Sequence, residues 1–189
     1  MPVKLDACSL IYLVKAGSLD LVERVHGKVL ITEAVYQEAV VAGKRGGYAD
    51  ALVIEQAIAA GKVKVVALKT GTRQKLAAAQ VPARLGTGEK ETIFEALEEG
   101  CLAVLDDLDS RAVASSLGVT LCGSDTVLVE ALLKKVITRA DYETKVTRLA
   151  GVMGMRADDL AEASAELGRS VAEAGSADRG GDRQWRRKF

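Results

Sequence analysis

The stretch Val3–Leu13 (VKLDACSLIYL) sets a short aliphatic run, one aspartate and a helical apolar pattern in immediate succession. A strand that ends in an acid and turns at once into a helix is the opening move of an α/β domain. The same order returns at Leu102–Ser110 (LAVLDDLDS), and further aliphatic runs at Val29–Ile31, Val63–Leu68 and Val119–Cys122 read as strands. Helical spacing occupies Ser9–Ala16, Thr32–Ala42, Tyr48–Ala60, Glu89–Glu99, Arg111–Leu117 and Ser124–Lys135, with Gly17, Gly43, Gly61, Gly100 and Gly118 placed as stops. Strand and helix in alternation predict a three-layer α/β fold, its mostly parallel sheet of about five strands flanked by helices. In such a fold, ligands sit at the carboxyl ends of the strands.

Past Ile137 the pattern is purely helical. Thr138 with Asp141 three residues on suits a helix cap, and Arg156–Ala172 places Leu160, Ala163, Leu167 and Val171 on one face. We therefore expect a main domain over residues 1–160, a helical continuation over 161–175 and a terminal segment over 176–189. That last segment (SADRGGDRQWRRKF) is net +3, so the rest of the chain is net −3 although Lys+Arg and Asp+Glu both number 26. Its Gly/Asp/Arg-rich composition predicts disorder. Neutrality of the whole announces no global field for nucleic acid. Three widely spaced cysteines, Cys8, Cys101 and Cys122, form no CxxC and point away from zinc and disulfides towards a reducing cytoplasm. No apolar run suits a membrane span, and seven aromatics are too few for a base-stacking platform.

The acids are the informative residues. Asp6 follows the first strand, and Asp106 and Asp107 follow the run at Leu102–Leu105, so the parallel sheet brings them to one edge. Each also suits a helix N-cap. Glu38 has Ala34, Val35, Val41 and Ala42 as its helical neighbours, which predicts that it leaves an inward face. On a regular helix Ile93 falls ~40° and Ala96 ~20° from Glu89, while Glu91 falls ~160° away beside Glu95 and Glu98. Glu89 is thus expected inside and Glu91 on a solvated stripe. The lone His26 has no partner in this pattern and reads as a surface or loop residue.

Several carboxylates at one sheet edge repel one another unless a divalent cation neutralises them. Oxygen-only donors select Mg²⁺ or Mn²⁺, the ions that activate water for phosphodiester hydrolysis.

The pieces VKLDACSLIYL (Val3–Leu13), ITEAVYQEAV (Ile31–Val40), LGTGEKETI (Leu85–Ile93), AVLDDLDSRA (Ala103–Ala112) and GSDTVLVEALLKKVI (Gly123–Ile137) resemble, in order and interval, the PIN-domain nucleases. The likeness is to the VapC-like toxin ribonucleases and related prokaryotic PIN proteins in particular. It implies metal-holding or catalytic acids at Asp6, Glu38, Glu89 and the Asp106–Asp107 pair, with Asp107 preferred and Asp106 supporting. Ser9, Glu91, Ser124 and Asp125 become candidates for supporting positions. The chain departs from the family at Cys8, which stands where a Ser, Asn or Thr is frequent, and at Asp125 and Thr126, which replace apolar or Gly residues.

The resemblance implies a cytoplasmic, Mg²⁺- or Mn²⁺-dependent endoribonuclease acting on RNA. It also implies a homodimer serving as the toxin of a type II toxin–antitoxin pair, silenced by a small antitoxin protein. The alternative is a catalytically inert PIN-like module that binds RNA or protein. A haloacid-dehalogenase-type phosphatase, suggested by Leu105–Ser110, lacks its second aspartate, because Ala7 and Cys8 follow Asp6. Substrate approach falls to Lys44, Arg45, Lys69, Arg73, Arg84 and the basic terminal segment.

Overall fold

Five short β-branched or aliphatic segments pair side by side into one all-parallel sheet in a computed structural model that describes residues 2–79, 81–156, 158–162, 165 and 169. The strands are β1 (Val3–Leu5), β2 (Val29–Thr32), β3 (Val63–Val66), β4 (Leu102–Val104) and β5 (Leu121–Cys122). Their spatial order is β3-β2-β1-β4-β5. The chain therefore winds outward from β1 in one direction through β2 and β3, then returns to the other side of β1 for β4 and β5. In open α/β sheets that reversal is where a ligand crevice lies, beyond the carboxyl ends of the strands, here β1 and β4. Val3 pairs in register with Val29 on one side and Leu102 on the other, and Leu5 with Val104, so β1 and β4 end together.

Side chains alternate across the sheet and feed two cores. Val3, Leu5, Val29, Ile31, Val63, Leu102, Val104 and Cys122 face one core. That core is closed by α1 (Ala7–Lys15), α2 (Leu19–His26), α5 (Ala49–Ala59), α9 (Ser124–Leu133) and α10 (Arg139–Met153). Ala103, Leu105 and Leu121 face the other, under α7 (Thr87–Glu99) and α8 (Leu108–Ser116). The expected three-layer architecture is present, and within the described residues its sheet is wholly parallel.

Local differences have physical causes. The helix expected over Thr32–Ala42 runs on as α3 (Glu33–Tyr36), a π-helical stretch (Gln37–Ala42) and α4 (Gly43–Arg45). Gly43 is no stop: its φ is −58°, and a Cβ there would lie 2.8 Å from Ala51 Cβ, so glycine serves close packing against α5. Gly100, by contrast, ends α7 in the left-handed conformation at φ 59°. α8 starts at Leu108 because Asp107 caps it, three residues before the expected start. Two helices went unread. α2 is short, and α6 (Thr70–Ala78) is so polar that only Thr72 is buried.

The Thr138 cap is present as a reciprocal box. Asp141 N donates to Thr138 Oγ1 at 3.2 Å and Thr138 N to Asp141 Oδ2 at 3.1 Å. Leu160 packs into the first core and residues 158–162 are helical. The remaining positions of that expected face, Ala163, Leu167 and Val171, lie outside the described residues, as does the basic segment 176–189. Among the described residues no helix is long and apolar enough to cross a membrane. Replacing Thr138 by Ala removes one side of the box and is expected to cost ~1 kcal/mol in urea unfolding. An unchanged midpoint would show that α10 is held by packing alone.

Candidate functional site

Asp6 ends the central strand at the mouth of the crevice, and its side chain is fully buried. Its two oxygens do different things. Oδ1 accepts a hydrogen bond from Ser9 N at 2.8 Å and caps α1, whereas Oδ2 is buried with no hydrogen-bond partner among the described residues. A buried carboxylate oxygen without a donor is costly, and the group answers by resisting ionisation. Asp6 is pushed up to about 7, first by burial; the Ser9 amide and hydroxyl oppose this, and the charges of Asp106 and Glu89 add to it.

Asp106 reaches the crevice from the end of β4. Its carboxylate is fixed by Ser124 at the start of α9, whose backbone N donates to Oδ1 at 2.8 Å and whose hydroxyl donates to Oδ2 at 2.5 Å. Burial raises its pKa most, the Ser124 and Ser9 donors lower it, and Asp125 raises it again. The Ser9 hydroxyl lies close enough to Asp6 and to Asp106 to favour the charged form of each. Gly123 makes this packing possible, since a Cβ there would lie 2.5 Å from Asp125 Oδ1 and 3.2 Å from Asp106 Oδ1.

Asp107 is exposed and does something else. Its Oδ1 accepts from Ser110 N at 2.9 Å and from Ser110 Oγ at 3.1 Å, the N-cap of α8. The adjacent acids thus divide the two roles that the sequence left open for the pair. Of the pair, Asp106 is the one whose charge raises the Asp6 pKa, while Asp107 is engaged as the cap of α8.

The N-terminus of α7 supplies the opposite wall. Glu89 is half-buried, and its Oε2 accepts from Gly86 N at 2.7 Å, so the carboxylate folds back over the helix start. Glu38 arrives from the π-helical stretch and accepts from Gly88 N at 3.0 Å. A Cβ on Gly88 would lie 2.7 Å from Glu38 Oε2, so only glycine leaves that carboxylate its place. The inward face expected for Glu38 is not observed. Glu38 and Ala42 are both exposed, because the π-helical turn departs from the 100° step on which that expectation stood.

The expected solvated stripe on α7 also fails in part. Glu91 is half-buried, and Glu95 is buried beneath α6, the helix that composition hid. His26 is not a surface residue: its side chain is only 4% exposed, with Nδ1 3.8 Å from Glu130 Oε2. Of the basic residues expected to meet substrate, Lys44 pairs with Glu55, Lys69 with Glu99 and Arg84 with Asp109. The sequence reading missed Arg111, whose Nη1 donates to Leu105 O at 3.2 Å and would lie 2.9 Å from a Cβ on Gly123. Its place one turn after Asp107 on α8 was the available signal.

Among the described residues, no three His, Cys, Asp or Glu side chains stand close enough together to hold an ion without movement. The donor chemistry nonetheless fits a hard divalent cation. Asp6 Oδ2 is an unpartnered buried oxygen, and Asp106 and Glu89 are close enough to oppose its ionisation. Cys8, exposed in the first turn of α1, registers the same field. Its thiol is pushed up to about 11, first by lost hydration and then by Asp6, Glu89, Asp106 and Asp107.

Fold and site together define a three-layer α/β domain with an acid-lined crevice where the winding of its parallel sheet reverses. The chain belongs to the PIN-domain family DUF3368, which matches residues 3–164. PIN domains are in general nucleases and use divalent metal ions. Among solved structures, a PilT N-terminus domain protein from the hyperthermophilic archaeon Sulfolobus solfataricus P2 is similar, at 20% identity and a TM-score of 0.47. That similarity covers 70% of this chain and 94% of the other. No curated protein matches the chain.

The raised Asp6 pKa has a signed consequence. The folded protein holds that proton up to about 7, against 3.8 for the ordinary group, so the stability Asp6 contributes is full below 3.8 and is lost as pH rises through 7. Asp6→Asn is therefore expected to stabilise the metal-free protein at pH 8, by at most about 4 kcal/mol. The gain should shrink as pH falls towards 4. A gain that is flat across this range in denaturant titrations would contradict the burial account.

Proposed function

We propose that the chain is a divalent-metal-dependent endoribonuclease that hydrolyses RNA phosphodiester bonds in the crevice between β1 and β4. The observation that carries this reading is Asp6 Oδ2, a buried carboxylate oxygen with no donor, set against Asp106 and Glu89. A cation is the partner such an oxygen lacks, and Mg²⁺ or Mn²⁺ suits an all-oxygen donor set.

In this reading Asp6 and Asp106 would hold the ion, with Glu89 at the start of α7 and Glu38 on the π-helical stretch completing the site. When bound, the cation activates water and stabilises charge on the scissile phosphate. The protein's own groups do the rest. Ser124 fixes Asp106 through two hydrogen bonds, and the Ser9 amide orients Asp6 so that its second oxygen faces the crevice. Asp6 must lose its proton to receive the ion, so occupancy rises with pH through the neutral range. Asp125, beside Asp106, and Arg111, bound to the carbonyl that precedes Asp106, shape the rim on the α8 and α9 side. Asp107 keeps its cap.

The setting proposed for this enzyme is the toxin of a type II toxin–antitoxin pair, with a small antitoxin that covers the acids. A homodimer is the proposed assembly, for which Leu52 and Val53, both about half exposed on α5, offer apolar surface. A short neighbouring reading frame encoding a DNA-binding protein supports the toxin role, and a solitary gene opposes it.

Calorimetry with Mn²⁺ and cleavage of RNA oligonucleotides test the proposal together. Asp106→Asn is expected to weaken Mn²⁺ binding ~10–100-fold and to abolish cleavage. Asp107→Ala should leave both nearly intact and cost ~1 kcal/mol of stability through its cap. The converse pattern would return the fourth position to Asp107. A parent protein that neither binds Mn²⁺ at ~1 mM nor cleaves RNA would be the inert binding module instead. Removing residues 176–189 is expected to lower RNA affinity and flatten its salt dependence while leaving Mn²⁺ binding unchanged. An unchanged salt slope would deny the basic segment that role.

A further inference from the structure

Lys4 occupies the middle of β1, the central strand, with 0% exposure, where alternation calls for an apolar residue. Its register partners are Leu30 on β2 and Ala103 on β4. Its side chain leaves the face opposite Val3 and Leu5 and meets α7. Nζ lies 3.2 Å from Glu95 Oε2 and 3.3 Å from Glu99 Oε2. Glu95 is itself 1% exposed and accepts from Lys69 N through Oε1 at 2.9 Å, while Glu99 pairs with Lys69 Nζ at 2.8 Å.

A lysine packed this way is a poor means of stabilising a core. A buried ion pair loses hydration on both partners, and well-packed apolar residues do as well or better for stability. What an ion pair supplies that apolar packing does not is a fixed register, because the charges tolerate one alignment and penalise others. The alignment here runs between two elements that carry the acids. Lys4 precedes Asp6 by two residues on β1. Glu95 lies on α7, whose first turn carries Glu89 and presents the Gly88 amide that holds Glu38. Thr92, between them on α7, makes a further tie, its hydroxyl donating to Leu5 O at 3.4 Å.

We propose that Lys4 is a positioning residue: its buried pair with Glu95 sets α7 against β1 and so places Glu89 and the Gly88–Glu38 contact opposite Asp6. This rests on the acids being a metal site only for its consequence on metal binding, not for its consequence on the register itself. Two readouts separate these. The first is amide hydrogen exchange of Gly88 in metal-free full-length protein, and the second is the Mn²⁺ dissociation constant by calorimetry.

The informative variant is K4M/E95Q. It removes both buried charges together and keeps an acceptor for Lys69 N. It is expected to match the parent in unfolding midpoint, yet to exchange the Gly88 amide at least about tenfold faster and bind Mn²⁺ at least about tenfold more weakly. Strand amides such as Leu30 should keep the parent's protection. Should that double variant fail to fold, E95Q alone leaves Lys4 paired with Glu99 and is expected to show the same local loosening to a smaller degree. Parent-like Gly88 protection in whichever variant folds overturns the proposal. A parent protein that does not bind Mn²⁺, with Gly88 still loosened in the variant, overturns the metal-site reading and leaves the positioning role standing.

Discussion

A carboxylate buried at the end of a central β-strand is the constraint around which this structure is arranged. Asp6 has no exposure, caps α1 with one oxygen, and leaves the other without a donor. Among the described residues that oxygen has no hydrogen-bond partner; the Ser9 amide and hydroxyl favour the charged carboxylate, but burial and the charges of Asp106 and Glu89 oppose it. A chain selected for stability alone would place an asparagine or a serine there. Retaining aspartate is intelligible if the missing partner is a cation, which reverses the sign of every repulsion in the crevice at once. Such a site is poised rather than preformed. Glu89 and Glu38 rest on the amides of Gly86 and Gly88, contacts that an ion would replace in the proposed function.

The fold brings these groups together through its winding. Because β4 returns to pair with β1 after the excursion to β2 and β3, two strands far apart in sequence end side by side. Helix starts converge at the same edge: α1 is capped by Asp6, α8 by Asp107, and α9 begins at Ser124 against Asp106. Their amide dipoles favour negative charge at that edge, which partly offsets the cost of gathering acids there. Glycines at 88 and 123 admit the carboxylates where any Cβ would intrude.

Much of this was legible in the sequence. The aliphatic runs located all five strands, since four of them are buried throughout and β3, buried at Val63, still reads as an aliphatic run. Strand ends and helical phase single out Asp6, Glu89 and the Asp106–Asp107 pair as candidates, with the pair left undivided. Other features were not legible for definable reasons. The different partners of Asp106 and Asp107, Ser124 and Ser110, are encoded by no spacing. Glu38 was assigned to an inward face on the assumption of a regular helix, and a π-helical stretch invalidates that phase. Glu95 was read as solvated because α6, which buries it, has too polar a composition to be recognised as a packing element. The burial of Lys4 follows from its register on the central strand, which no local pattern encodes.

The most direct test of the central claim is anomalous diffraction from crystals of the full chain soaked in Mn²⁺. A Mn²⁺ peak is expected at the crevice, bound by Asp6 Oδ2 and Asp106, with the Glu89 side chain swung off Gly86 N towards it. Asp107 should remain on Ser110. A crevice without Mn²⁺ at saturating concentration, or a peak held by Asp107 with Asp6 Oδ2 still unpartnered, would contradict it.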